Sequence, residues 1–330
     1  MTRDKVSGDA LFILKSLKEN TRLGRSNKLA DVKALVHSSE VANHDDARVQ
    51  KAMTEIRKAG DSHPYAVAPV SANANDAAKQ LLEKLSSGDK ILSGRAEGLQ
   101  GANTPVILSV DAAKLSDATT QTVKGGVLKL NWRPLAPNGA TTLSAGEWSQ
   151  LLTPGSELNV KWQAEVDEIA AKLDALQKAN VAVLFAPLPG MDGKAAWWAG
   201  HSGPTGAQAL WRQLFVELTE KRGLKNLVWL YESDAAPEWN FEYGGAFHDN
   251  FPGLLYVDAM QLDVPTYNWS YDLERPFFVA ATGKPVGIGV VDKFAEADKL
   301  FGSSYWKWFV VEKSSQADDA LYASPRVEHR

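Results

Sequence analysis

From residue 88 onward the chain alternates short apolar runs with helical segments, and several runs contain no polar residue at all. Val181-Ala182-Val183-Leu184-Phe185 is the plainest case. A strand apolar on both faces must be covered on both, the condition of a parallel sheet flanked by helices. Eight runs qualify: Lys90 to Ser93, Val106 to Val110, Gly126 to Trp132, Val181 to Pro187, Asn226 to Tyr231, Val257 to Leu262, Pro285 to Val291 and Tyr305 to Val311. Helical segments fall at 160–178, 206–222 and 293–301. The first carries Val160, Val166, Ile169, Ala170, Leu173 and Leu176 on one face. Eight strands with intervening helices over about 240 residues predict an α/β fold, the (β/α)8 TIM barrel. A doubly wound open sheet is the competing arrangement. It is disfavoured because no G-x-G-x-x-G turn follows the first strand.

Residues 1–62 differ in character. They are rich in Lys, Arg, Asp, Asn and Ser, lack tryptophan and tyrosine, and show helical spacing at Leu11, Leu14, Leu17 and at Leu29, Val32, Leu35, Val36. The expected division is a helical N-terminal extension over 1–62 and a barrel over 63–330. Asn73 or Asn75 is placed to cap a helix carrying Ala77, Leu81, Leu82 and Leu85.

Composition narrows the function classes. A formal net charge of -4 and a pI of about 5.9 argue against nucleic acid as a partner, which requires a clustered basic surface. No window reaches the roughly 18 apolar residues of a membrane span. The stretch Ala10 to Leu14 is too short for the core of a signal peptide, so the compartment stays open. With no cysteine and six histidines lacking ligand spacing, neither a metal nor a cofactor is expected. All 11 tryptophans lie after residue 130. They either fill the core or stack on sugar rings near strand ends.

In such a barrel the working residues sit at the C-terminal ends of the strands. Read in order, those ends are Ile91-Leu92-Ser93-Gly94-Arg95, Val127-Leu128-Lys129-Leu130-Asn131-Trp132-Arg133, Val183-Leu184-Phe185-Ala186-Pro187 followed by Ala196-Trp197-Trp198-Ala199-Gly200, Asn226-Leu227-Val228-Trp229, Tyr256-Val257-Asp258 with Asp263, Lys284-Pro285-Val286, and Trp308. Leu151 to Ser156 precedes the long helix. In this order and spacing, from about residue 76 to 312, the chain resembles glycoside hydrolase family 26, whose members are mostly retaining endo-β-mannanases and mostly secreted.

The resemblance implies two catalytic carboxylates about 5–5.5 Å apart, one acid/base and one nucleophile. The family's acid/base stretch, Arg-Pro-x-His-Glu-Met-Asn-Gly, reads Ala186-Pro187-Leu188-Pro189-Gly190-Met191-Asp192-Gly193 here. Its Lys-Pro-x-x-x-x-Glu run reads Lys284-Pro285-Val286-Gly287-Ile288-Gly289-Val290. The acid/base position is therefore Gly190 and the nucleophile position Val290, while Arg133 stands where the family keeps a histidine. Glycine and valine neither donate a proton nor form a glycosyl ester.

The expectation is thus a catalytically degenerate family-26-like barrel that does not hydrolyse β-mannan at an enzymatic rate and instead binds carbohydrate or serves as an interaction scaffold. The alternative is an active β-mannanase-like endo-glycosidase with its carboxylates relocated to Asp192 and Asp292, each of which otherwise reads as a turn or helix-cap residue. Glu232 and Glu312 follow strands and are able to face the mouth, where one buried carboxylate would pair with Arg133. Trp132, Arg133, Trp197, Trp198, Asp263, Tyr267 and Trp308 are the expected substrate-binding residues, and a β-mannan or β-glucan type polysaccharide is the expected ligand. A protein partner would use the N-terminal helices or the loop 238–248.

Overall fold

The computed structural model describes residues 68–99, 103–193, 195–203, 205–234, 250–253, 255–267, 284–294, 300, 306–312 and 321–330, without the side chains at 122, 265–267 and 290–294. The expected N-terminal helices, the loop 238–248 and most of the helix expected at 293–301 lie outside the described residues.

The strands are β1 (Ile91–Leu92), β2 (Gly94–Ala96), β3 (Ile107–Asp111), β4 (Val127–Trp132), β5 (Val183–Pro187), β6 (Leu227–Asp234), β7 (Ala259–Tyr267), β8 (Val286–Phe294), β9 (Trp306–Val311) and β10 (Val327–Glu328). All pair in parallel. β2 to β9 follow one another around the sheet, and β9 closes on both β1 and β2. β1 and β2 make one interrupted stave, so the barrel has eight staves, with β10 added beside β1. Each of the eight expected strands overlaps a stave. The observed β6 and β7 run past the expected ends, through Asp234 and Tyr267. β8 likewise continues through Asp292 to Phe294, so Asp292 lies in a strand and does not cap a helix.

Helix α1 (Asp76–Ser86) is capped by Asn75, whose side chain accepts from the Ala78 N–H. Its buried face, Ala78, Leu81, Leu82 and Leu85, joins Leu92, Val127, Leu184 and Val228 in one cluster and closes the N-terminal end of the barrel. After α2 (Asp117–Thr122), helix α3 (Ala145–Leu152) begins at a capping box between Ser144 and Glu147. Helix α4 (Glu157–Lys178) buries Leu158, Trp162, Val166, Ile169, Ala170, Leu173 and Leu176. Val160, expected on that face, is 60% exposed, because the stripe runs through Trp162 instead. Helix α5 (Ala207–Val216) runs on into a π-helical turn, Glu217–Lys221. The larger apolar cluster lies between these helices and the outward faces of the strands. No helix among the described residues is long and apolar enough to cross a membrane.

Candidate functional site

Alternation along β4 sends Val127, Lys129 and Asn131 into the barrel and Leu128, Leu130 and Trp132 outward to the helices. A lysine inside a barrel needs an anionic partner, since an unpaired buried charge is very costly. β6 supplies it. Lys129 Nζ lies 2.5 Å from Glu232 Oε1, and both side chains are 1% exposed. The same ammonium donates to Asn131 Oδ1 at 2.7 Å, and the Asn131 amide donates to Ser109 Oγ at 2.9 Å. Burial lowers the Lys129 pKa, but attraction from Glu232, then Glu312 and Asp263, outweighs it and the net shift is upward.

The network continues around the barrel. Gln261 Nε2, on β7, donates to Glu232 Oε1 at 2.9 Å and to Asp263 Oδ1 at 2.7 Å, so one amide group joins two carboxylates. Gln261 Oε1 in turn accepts from Trp308 Nε1 at 3.0 Å. The inward positions of β8 are glycines for a steric reason: a Cβ at Gly287 would collide with the Trp308 indole, and one at Gly289 with the Asp263 carboxylate. The Asp263 carboxyl is held well above the usual carboxylate range, first by burial and then by repulsion from Glu232, with Lys129 opposing. Glu232 Oε2 is buried and has no hydrogen-bond partner among the described residues.

Above this layer, the loop after β5 folds back onto the end of β6. The Gly190 N–H donates to the Glu232 carbonyl at 3.2 Å. Asp192, 3% exposed, accepts from Ser233 Oγ at 2.5 Å and from the Asp234 N–H at 2.8 Å. Burial pushes its carboxyl up to about 7 even though both bonds favour the charged form. With both oxygens engaged in holding the loop to β6, Asp192 does not project into the mouth. The carboxylate that does cover the loop is Asp234: a Cβ at Gly190 would stand 2.6 Å from its Oδ2, and one at Gly193 closer still. Burial, then Glu232, raises the Asp234 pKa, and Arg133 counteracts them. Arg133 is half-exposed and pairs with Asp111 at 3.6 Å. The buried carboxylate Glu232 therefore pairs with Lys129, not with Arg133.

The tryptophans named from the sequence go elsewhere. Trp132 packs outward, 5.4 Å from the Trp162 ring. Trp197 and Trp198 meet edge to face at 5.5 Å, and their N–H groups donate to the carbonyls of Pro134 and Pro189. All three are buried, and Trp308 is fully buried inside the barrel. Of the expected substrate-binding residues, Arg133 and Asp263 are the ones brought to the mouth. The side chains of Tyr267, Val290 and Asp292 lie outside the described residues. Lys129, Asn131, Asp234 and Gln261 were not singled out from the sequence. A lysine and an asparagine at alternate positions of an otherwise apolar strand were the available signal. Among the described residues no three acidic or histidine side chains are grouped to hold a metal ion.

The family model for glycosyl hydrolase family 26 matches residues 104–282. The chain belongs to glycosyl hydrolase family 26. Among its family-26 relatives, a mannan endo-1,4-beta-mannosidase of Thermothelomyces thermophilus is 26% identical over 301 residues, covering 77% of this chain and 59% of the relative. Another from Bacillus subtilis is 30% identical over 176 residues, 48% of this chain and 47% of the relative. The chain thus spans about half the length of these curated relatives. The solved structure of GH26A from Muricauda sp. superposes with a TM-score of 0.69 at 24% identity, over 78% of this chain and 98% of that one. A beta-mannanase from a symbiotic protist of the termite Reticulitermes speratus, complexed with gluco-manno-oligosaccharide, gives 0.65 at 20% identity, over 80% and 96%. These structural likenesses establish the fold of the family-26 barrel.

Proposed function

We propose that this family-26 barrel holds a β-mannan or glucomannan type polysaccharide at its C-terminal mouth, and that Gly190 and Val290 stand where family members carry the acid/base and the nucleophile. Neither residue can take part in a double displacement, so any chemistry on the bound glycan comes from other side chains. The observation that carries the binding reading is Glu232 Oε2, a buried carboxylate oxygen without a partner among the described residues, close to the carboxyls of Asp234 and Asp263 and to the Lys129 ammonium. Leaving such an oxygen unsatisfied is costly, and a sugar hydroxyl is a donor that removes the cost. The substrate class is that of the mannan endo-1,4-beta-mannosidases to which the chain is similar.

Calorimetric titration with manno-, mixed-linkage gluco- and xylo-oligosaccharides tests the reading, beside Glu232→Gln. Binding of at least one β-1,4-linked oligomer, weakened in the variant, is the expected outcome. Absence of binding to all three series contradicts it.

A further inference from the structure

Glu232 lies at the floor of the mouth, and both protein donors that reach it, Lys129 Nζ and Gln261 Nε2, go to Oε1. Oε2 is left buried with no hydrogen-bond partner among the described residues. Two residues further along β6 stands Asp234, and two beyond Gln261 on β7 stands Asp263, at the same level of the register. The Asp234 carboxylate leans over Gly190 and Gly193 on the β5 side, and the Asp263 carboxylate over Gly289 on the β8 side. Glu312 follows the end of β9. These three are only partly buried, whereas Glu232 is 2% exposed, so the outer rim is acidic as well as the floor.

The charges of this mouth do not balance. Glu232 repels Asp234 and Asp263, and Glu312 repels Asp263 as well. Asp192, braced by Ser233, is a further acid beside Asp234. Two cations stand against them. Lys129 is engaged by Glu232 at the floor, and Arg133, which attracts Asp234, is shared with Asp111. Burial and crowding hold the Asp263 and Asp234 carboxyls above their usual range, so an entering cation would release protons from them. A sugar hydroxyl would give Oε2 one donor and leave the repulsion untouched. A primary ammonium brings three donors and a positive charge, and its hydrogen bond to a carboxylate is of the stronger, charge-assisted kind.

We propose that the subsite at Glu232 selects an amino sugar, a 2-amino-2-deoxyhexose unit of a β-1,4-linked oligosaccharide, whose ammonium donates to Glu232 Oε2 inside the acidic rim. The proposal rests on the reading of this mouth as a glycan site and specifies the sugar at this one position. Asp263, Asp234 and Glu312 supply the negative surroundings that a neutral hexose leaves uncompensated.

The test is calorimetric titration of the full chain with the β-1,4-linked tetramer of glucosamine, with cellotetraose, which carries a hydroxyl in place of each amine, and with mannotetraose. It is run at about pH 6, where the sugar amine is protonated, in buffers of different ionisation enthalpy. The amine tetramer should bind about tenfold or more tighter than either neutral tetraose, and should release protons that cellotetraose does not. Glu232→Gln and, separately, Asp263→Asn should shrink the preference to less than threefold, with affinity for the neutral tetraoses reduced by no more than the general loss at this subsite. Should Glu232→Gln fail to fold, Asp263→Asn at its partly exposed position decides. Neutral tetraoses bound as tightly as the amine tetramer overturn the proposal and leave the glycan site standing. A preference unchanged in the folded variants overturns it too, as does spermidine bound as tightly as the tetramer, which would mean that the mouth takes amines without the sugar. Absence of binding by all the tetraoses removes the glycan reading and the proposal with it.

Discussion

Lys129 and Glu232 meet at 2.5 Å inside the barrel, each 1% exposed. They link β4 to β6 across the lumen. An ion pair so deep contributes little over an apolar pair of equal volume, but removing one partner strands the other as an uncompensated charge. Lys129→Ala should therefore lower the unfolding free energy by about 3–5 kcal/mol. The double variant Lys129→Met with Glu232→Gln should recover a large part of it. Urea denaturation of the single and double variants reads both, and a single variant as stable as wild type would show that the pair is not buried as described.

Gly190 has φ +68°, in the left-handed region, with the Asp234 carboxylate against the space of its missing Cβ. Placing a glutamate there meets two obstacles, a strained backbone and a displaced aspartate. Gly190→Glu should lower stability by roughly 1–3 kcal/mol, and pairing it with Asp234→Gly should return part of the loss. The Tm of the three variants is the measurement. A Gly190→Glu protein with unchanged Tm would mean that the loop accommodates a side chain freely.

Trp197 and Trp198 are buried against each other, with both N–H groups satisfied by backbone carbonyls. Replacing Trp197 by Ala opens a cavity beside Trp148 and Trp162. The expected cost is about 3–5 kcal/mol of folding stability, with oligosaccharide affinity unaltered in the protein that remains folded. Thermal unfolding beside titration separates the two effects, and weakened binding with unchanged Tm would return this residue to the sugar site.

Asp192 carries a pH signature. Its carboxyl titrates near 7 in the fold, raised by burial, against about 3.9 in an unfolded chain. Between those values the folded state keeps a proton that the unfolded state has released. Stability from this group is therefore full below about pH 4, falls as pH rises toward 7, and is flat above that. Asp192→Asn should remove this slope, because the amide oxygen still accepts from the Asp234 N–H and the amide nitrogen is able to donate to Ser233. Denaturation midpoints from pH 4 to 8 measure it, and an identical slope in the variant would assign the dependence elsewhere.

The barrel was legible in the sequence because its strands are buried on both faces, so that runs such as Val181 to Phe185 call for a parallel sheet covered on both sides, and because no G-x-G-x-x-G turn supports the open-sheet alternative. The mouth was not, for a reason visible at β6 and β7. The apolar runs of these strands stop at Tyr231 and Leu262. The strands continue through Asp234 and Tyr267 because Lys129 and Gln261 compensate the polar side chains from across the lumen and from the adjacent strand. A partner distant in sequence leaves no periodic trace. Asp234 therefore carries no signal in the sequence, whereas Asp192 stands beside the family motif and accepts from Ser233 and from the Asp234 N–H. The tryptophans were ambiguous from the start, and their placement followed from Pro134 and Pro189, whose carbonyls take the indole N–H groups.

The most direct test of the glycan mouth is a crystal structure of the protein with mannotetraose. The expected result is a pyranose over the C-terminal end of β6, with a hydroxyl donating to Glu232 Oε2. A sugar bound elsewhere on the barrel, or a mouth in which Glu232 Oε2 is taken by a protein group while mannotetraose is absent at saturating concentration, would contradict the account.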